Sequence, residues 1–355
     1  MANASDWLFV IPVRNLRIEK ELRQRVVIGR VEFIRPDKLA YVRRQFGIAY
    51  RISQLCRVDP YFRKIVQGEE ALAVLHVKLK GGQDFKEVTP ECLQRVRDAT
   101  AILSLSRCVY SRRRYREIFG IDVQSARAWQ DYVFLEKGAA PTKLGPKPLL
   151  GGQLEGAHIP FILDKHWWNF HSKHGFFFAL LDILYGSKRK EVSRSWRERL
   201  EHAALFAGRG WQTPDPVQAF LYNIFALETL LLESGGRTED LAKRVGAFLG
   251  WAGFWGQGER FMEKIEDMHR VRHEIVHQAD TSKFTIDHLL FSDDLIFNLF
   301  LNLVKHVRLF KKQEDVIDFC HRVEAERFLG LKSRVRPKSF RAMAPRYTDK
   351  DKAEI

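Results

Sequence analysis

Two regimes of apolar spacing divide the chain. Before about residue 185, short runs of apolar and β-branched residues stand between charged ones: Leu8 to Val13, Val26 to Ile34, and Ala71 to Leu79, the last ended by Gly81 and Gly82. Such runs predict strands. Asp37 to Leu55 and Pro90 to Leu103 are spaced as helices, the second with Thr89 placed to cap it. The mixture predicts an α+β N-terminal domain over residues 1–185. Within it, residues 138–152 carry Pro141, Pro146, Pro148 and four glycines without any period, which predicts a mobile loop.

From Lys188 onward the spacing is helical throughout. Val192, Trp196, Leu200, Ala203 and Ala207 step by three or four residues and share one helix face. Asp215 followed by Pro216 is an N-cap with proline at the first helical position, opening a helix striped by Phe220, Ile224, Leu227 and Leu231. Gly235 and Gly236 stop it. Further helices over Glu239 to Leu249, Gly258 to His277, Asp293 to Phe310 with Ser292 as N-cap, and Gln313 to Phe328 complete an all-α helical bundle over 188–330. Residues 331–355 are highly charged and predict a disordered tail.

Composition narrows the function classes. A chain of 355 residues with 45% hydrophobic content can bury two cores. Its longest apolar run, Gly175 to Tyr185, is too short for a bilayer and contains Asp182, and no apolar signal segment follows a basic start. A cytoplasmic protein with no membrane partner is expected. Cys56, Cys92, Cys108 and Cys320 match neither a disulfide framework nor metal-ligand spacing, so they are expected reduced. The formal charge of +15 favours a polyanionic partner. Ser111 to Arg116 sets four arginines around Tyr115. Arg112, Arg113, Arg114 and Tyr115 are therefore candidate RNA contacts, with guanidinium groups for phosphate and a ring for stacking; the competing reading is a solvated basic surface. Asp164 to Phe178 concentrates His166, Trp167, Trp168, Phe170, His171 and His174, as a core segment, a base-stacking surface or a metal site would.

The densest chemistry lies in Met268 to Gln278, which carries two overlapping signatures: Arg272-x4-His277 and His273-Glu274-x-x-His277. Arg272 falls on the apolar stripe of Phe261, Ile265, Met268 and Ile275. A guanidinium there needs a partner or a solvated cleft. Glu228, on the apolar side of its own helix, is the candidate partner, either as a structural ion pair or as part of a polar site. In the His-Glu-x-x-His reading, His273 and His277 hold zinc and Glu274 acts as general base of a metalloprotease. That site needs a third ligand. No His-x-x-Gly-x-x-His continuation follows, no glutamate occurs between Glu274 and Glu314, and Arg270 and Arg272 oppose a cation.

Over roughly Ser193 to Val323 the sequence resembles the HEPN family of helical-bundle proteins, in particular its Apea-like group. The likeness rests on the helix with Trp196, Arg197 and the small residues Ala203, Ala204 and Ala207, on the helix reading Phe225-Ala226-Leu227-Glu228-Thr229-Leu230-Leu231, and on Met268 to His277. His269 stands where the family usually has tyrosine, and His273 where it has asparagine or serine. The resemblance implies a metal-independent endoribonuclease with no cofactor, acting on RNA as a homodimer, of a kind common among toxins and antiviral defence effectors. It implies that His277 is the general base or acid, that Arg272 holds the scissile phosphate, that Glu228 orients Arg272, and that His273 assists. Residues five apart on a helix diverge by about 140°, so the helix is expected to end or distort near His277. HEPN bundles also serve as non-catalytic nucleotide-binding or interaction modules, and this alternative stands beside the ribonuclease. The N-terminal half resembles nothing identified; by association it is a candidate sensor of a protein or nucleic-acid trigger.

Overall fold

The structure is a computed structural model that describes residues 5–48, 51–58, 60–79, 83–121, 132–137, 159–233, 239–250, 260–331, 334–344 and 347–353. The loop expected at 138–152, the glycine pairs at 81–82 and 235–236, and the start of the helix expected at 258 lie outside these residues. The chain forms two units, Met1–Leu103 with Arg116–Asn169, and Ser104–Tyr115 with Phe170–Ile355. The second unit thus begins at Phe170, earlier than the change of spacing near 185, and it takes in a segment from the first half of the sequence.

In the N-terminal unit the strands are β1 (Ser5–Pro12), β2 (Leu16–Ile18), β3 (Val26–Ile28), β4 (Val31–Ile34), β5 (Leu72–Leu79), β6 (Val133–Glu136) and β7 (Phe161–Leu163). Five form a sheet in the order β3-β4-β5-β1-β6, antiparallel at every pairing, while β2 and β7 pair in parallel. Strand β1 reads as a continuous apolar run because both faces of the sheet are covered. Leu8 and Val10 join Leu39, Val42 and Phe62 in one core cluster. On the opposite face Trp7 and Phe134 meet the Phe85 ring at 4.6 and 4.8 Å. The run Val26 to Ile34 is two strands, turned at Gly29, whose φ of 59° favours glycine.

The helices are α1 (Leu39–Phe46), α2 (Ile52–Val58), α3 (Pro60–Gln67), α4 (Phe85–Leu105) and α5 (Lys165–Lys173), followed by α6 (Phe177–Leu184), α7 (Arg194–Gly210), α8 (Pro216–Leu231), α9 (Glu239–Leu249), α10 (Arg260–Gln278), α11 (Ile286–Lys305), α12 (Gln313–Phe328) and α13 (Asp349–Ala353). The single helix expected over 37–55 is broken by Gly47, whose φ of 83° closes α1 with a left-handed cap. Thr89 does not cap. It lies inside α4, which starts at Phe85, and its hydroxyl donates to the Phe85 carbonyl.

The C-terminal unit follows the expected stripes closely. Ser193 caps α7 and Asp215 caps α8, where its carboxylate accepts from the Val217 and Gln218 amides. Val192, Trp196, Leu200, Ala203 and Ala207 are buried, as are Phe220, Ile224, Leu227 and Leu231. Helix α11 departs from expectation. It begins at Ile286 with a capping box between Thr285 and His288, and Ser292 is interior, its hydroxyl donating to the Leu289 carbonyl. The helix is buried on nearly every face, and it is the axis of the unit's core.

The expected disordered tail is folded over the residues described. Asn298 and Asn302 present their amides to it as a strand would. Asn298 donates to the Met343 carbonyl and accepts from the Met343 amide, each at 2.7 Å, and Asn302 does the same with Arg341 at 2.7 and 3.0 Å. Phe340 packs against Phe248, Phe310 and Phe319. The charge of the segment therefore did not prevent docking: Arg341 and Met343 dock through their backbones, Phe340 through its ring, and the Arg336 guanidinium donates to the Ala247 carbonyl at 2.6 Å. Among the described residues, no helix is long and apolar enough to cross a membrane. The four cysteines form no disulfide, and Cys92, Cys108 and Cys320 are buried.

The aromatic run 164–178 is largely core: Trp167, Phe176 and Phe177 are fully buried. His171 is buried with them, its ring 5.0 to 6.0 Å from those of Tyr110, Phe170, Phe177 and Phe178. Burial lowers its pKa to about 3, against a hydrogen bond with the Ser106 backbone that acts the other way. An imidazole depressed from its ordinary 6.5 leaves full stability above pH 6.5 and removes it as pH falls toward 3. The cost at pH 5 is about 2 kcal/mol. Denaturant titrations at pH 7.5 and pH 5 should show that loss in the wild type and a flatter dependence in His171→Leu.

Candidate functional site

Helix α10 presents its residues on three sides. Phe261, Ile265, Met268 and Val271 face the core, and Ile275 is half-buried. Arg272 lies at the edge of that stripe. Its Nη2 stands 3.1 Å from Glu228 Oε1 of α8, with the two side chains only 12% and 19% exposed. The ion pair expected from helical spacing is therefore present as a charge contact near the surface, without a hydrogen bond between the two groups: among the described residues Glu228 Oε1 and Arg272 Nε have no hydrogen-bond partner. Burial raises the Glu228 carboxyl above its ordinary range, with the charge of Arg272 pulling it back. The guanidinium therefore sits against the Glu228 carboxylate at the edge of the bundle.

His273 and His277 are exposed one turn apart, with ring centroids 4.6 Å from each other. Helix α10 continues through His277 and ends at Gln278, after which Ala279 takes a left-handed φ of 53°. The end comes too late to redirect His277, and the angular separation of about 140° from Arg272 remains. Within one chain the motif therefore yields an arginine held on one side of the helix and an imidazole pair on another.

Glu274 is 9% exposed and faces inward, with Lys283 Nζ donating to its Oε1 at 2.5 Å. The carboxylate that a zinc protease would use as its base is thus committed to an ion pair away from the two imidazoles. Among the described residues, no group of three or more His, Cys, Asp or Glu side chains is placed to hold a metal ion.

The arginine cluster divides. Arg112 and Arg113 are exposed, and Arg112 Nη1 lies 3.5 Å from Asp351 Oδ2. Arg114 is no surface contact. It pairs with Asp293 at 2.6 Å with both side chains 1% exposed, donates to the Gly210 carbonyl, and lies over the Trp211 ring at 4.1 Å. Asn223 donates to the other oxygen of Asp293 at 2.8 Å. Arg107 is equally buried and ties down the Arg113, Arg114 and Trp211 carbonyls. Tyr115 is half-buried, its hydroxyl pushed by burial to about 12. A buried guanidinium already satisfied by carboxylate and carbonyl cannot reach phosphate, so Arg114 leaves the candidate RNA contacts and Tyr115 offers little open face. No family model, no curated protein and no solved structure matches the chain.

Proposed function

We propose that the helical unit is a metal-independent endoribonuclease of HEPN type, active as a dimer. The observation that carries this reading is the Arg272–Glu228 pair: a guanidinium beside a carboxylate at the edge of the bundle, on the same helix as an exposed pair of imidazoles. Arg272 holds the scissile phosphate and stabilises the charge that develops on it. His277 transfers the proton, with His273 beside it, since imidazole is the side chain suited to that task near neutral pH. The ribose 2′-oxygen forms a bond to phosphorus as its proton leaves, the bond from phosphorus to the 5′-oxygen breaks, and that oxygen takes up a proton. A cyclic phosphate and a 5′-hydroxyl result. Because Arg272 and His277 diverge on one helix, twofold pairing is invoked to bring the His277 of one copy toward the Arg272 of another.

The chemistry is tested with an RNA that carries a single 2′-deoxyribose at the mapped cleavage position. Cleavage there should cease while the all-RNA control is cut to ends bearing a cyclic phosphate. Continued cutting at the deoxy position excludes attack by the 2′-hydroxyl. The same divergence of Arg272 and His277 is the specific observation in favour of the second reading, a bundle that binds RNA without cutting it. Retention of RNA with no cleavage in any condition is its signature.

A further inference from the structure

In the N-terminal unit the parallel strands β2 and β7 stop side by side at Ile18 and Leu163. Past their carboxyl ends the chain leaves β2 as a loop to β3 and leaves β7 directly into α5. In open α/β sheets, ligands bind in the crevice beyond the carboxyl ends of the parallel strands, and the two-stranded β2–β7 pair has a crevice in the corresponding place. Here that place is a cleft of about 720 Å³, within the range of small-molecule sites. Lys20, Glu21 and Arg23 line it from the loop, Lys165 and Trp168 from α5. The walls are fixed. The Glu19 amide donates to the Leu163 carbonyl at 3.0 Å, the Leu22 amide to the Glu19 carbonyl at 3.1 Å, and Leu22 itself is buried.

We propose that this cleft binds a nucleotide, with phosphate on Lys20, Arg23 and Lys165 and the base against Trp168. All three cations are exposed, and among the described residues none of them is in an ion pair. Three such charges beside one carboxylate form a site for an anion, not for a peptide amide or a sugar. Trp168 adds what phosphate alone does not need. It is half-buried, with its ring 6.3 Å from the fully buried Trp167 and nearly edge-on to it, so a flat indole is anchored at the wall of a cationic cleft. Rings presented in this way stack on bases whatever their sequence. Glu21 is suited to accept hydrogen bonds from ribose hydroxyls, as carboxylates do at the ends of other parallel sheets. The shared chemistry of base, ribose and phosphate is met by a free nucleotide or by one residue of a strand.

Calorimetric titration of the full chain tests the assignment with ATP, with a 2′-O-methylated tetranucleotide that cannot be cleaved, and with inorganic triphosphate as the base-free control. ATP, the oligonucleotide or both should bind more tightly than triphosphate, and which of them does so tells a free ligand from a strand. Lys20→Gln, Arg23→Gln and Lys165→Gln together should weaken that binding by roughly tenfold or more, as lost phosphate contacts do. Trp168→Leu should cost roughly tenfold, and Trp168→Phe should recover most of it. No binding up to millimolar concentration, binding no tighter than that of triphosphate, or binding indifferent to every variant overturns the proposal. Because the exposed charge substitutions and Trp168→Phe preserve packing, loss of the fold does not mask the result. Lys20, Arg23, Lys165 and Trp168 lie outside the residues assigned to cleavage, so the variants' ATP binding and their RNA cleavage, measured side by side, report separately on this site and on the ribonuclease reading.

Discussion

Arg114→Ala is expected to destabilise the helical unit by about 3–5 kcal/mol, the cost of breaking a buried ion pair by removing one partner. For a unit of this size that lowers the melting temperature by roughly 10 °C. The magnitude follows from what stays behind. Asp293 is fully buried; burial pushes its carboxyl up, and Arg114 first, then Asn223 and Arg107, oppose that push. Without Arg114 the carboxylate must take a proton or remain an uncompensated charge, and the Gly210 carbonyl loses its donor as well. The neighbouring Asp294 cannot help, since burial and the charge of Asp293 already hold its carboxyl well above the ordinary range. Asp293→Asn should cost a comparable amount, because it strands the guanidinium instead. The double variant should lose less than the sum of the two, the signature of a coupled pair. Arg112→Ala and Arg113→Ala, on exposed side chains, should change stability by about 0.5 kcal/mol or less. Thermal melts of the four single variants and the double variant decide the matter. An Arg114→Ala protein that melts like the wild type and binds RNA more weakly would return Arg114 to the surface role its position in the sequence suggests.

Loss of RNA cleavage in His277→Ala is expected to be ~10²–10⁴-fold, the usual contribution of a positioned proton-transfer group. Arg272→Ala should cost ~10²–10³-fold, as removal of one stabilising donor does elsewhere, and Arg272→Lys should recover little, because a point charge does not reproduce the guanidinium fork. Neither loss should come from unfolding. His277 is exposed, and Arg272 meets its partner at the rim of the bundle rather than within it. The two inactive variants have a further use. If each site takes its histidine from one copy and its arginine from the other, mixing Arg272→Ala with His277→Ala gives mixed dimers with one intact site apiece, and part of the activity returns. A mixture as inactive as its components places both groups in one chain and contradicts the shared cleft.

How far the sequence could be read depended on whether a residue's role was set locally. Stripes, caps and the Arg272–Glu228 pair follow from three- and four-residue spacing along single helices, and they were legible for that reason. Ser292 misled because Asp293 and Asp294 look like a helix start. Yet Leu289 and Leu290 before them and Leu295 and Ile296 after them continue one apolar helix, so the aspartates are interior and must be answered from elsewhere. The answer to Asp293 is Arg114, 179 residues away, whose charged neighbours made it look like surface. No local period carries that pairing. The tail misled in the same manner, since its docking depends on Asn298 and Asn302 of a distant helix offering paired amides. The cleft beyond β2 and β7 was half visible. Trp168 belonged to a conspicuous aromatic run, but its place beside Lys20 and Arg23 follows only from the parallel pairing of two strands far apart in the chain.

Helical spacing predicts that Arg272 and His277 diverge, and they remain apart because the helix runs one residue past His277. Helical phase therefore supplies the reason to invoke a second copy. It also separates the two overlapping motifs: His273 and His277 share a face, whereas Glu274 turns inward to Lys283.

The central claim is tested most directly by cleavage of end-labelled RNA in EDTA by the full-length wild type, His277→Ala and Glu274→Gln. Metal-free chemistry at His277 predicts cutting that survives the chelator and Glu274→Gln and disappears in His277→Ala. Undiminished cutting by His277→Ala, or activity that EDTA extinguishes and zinc restores, would contradict it.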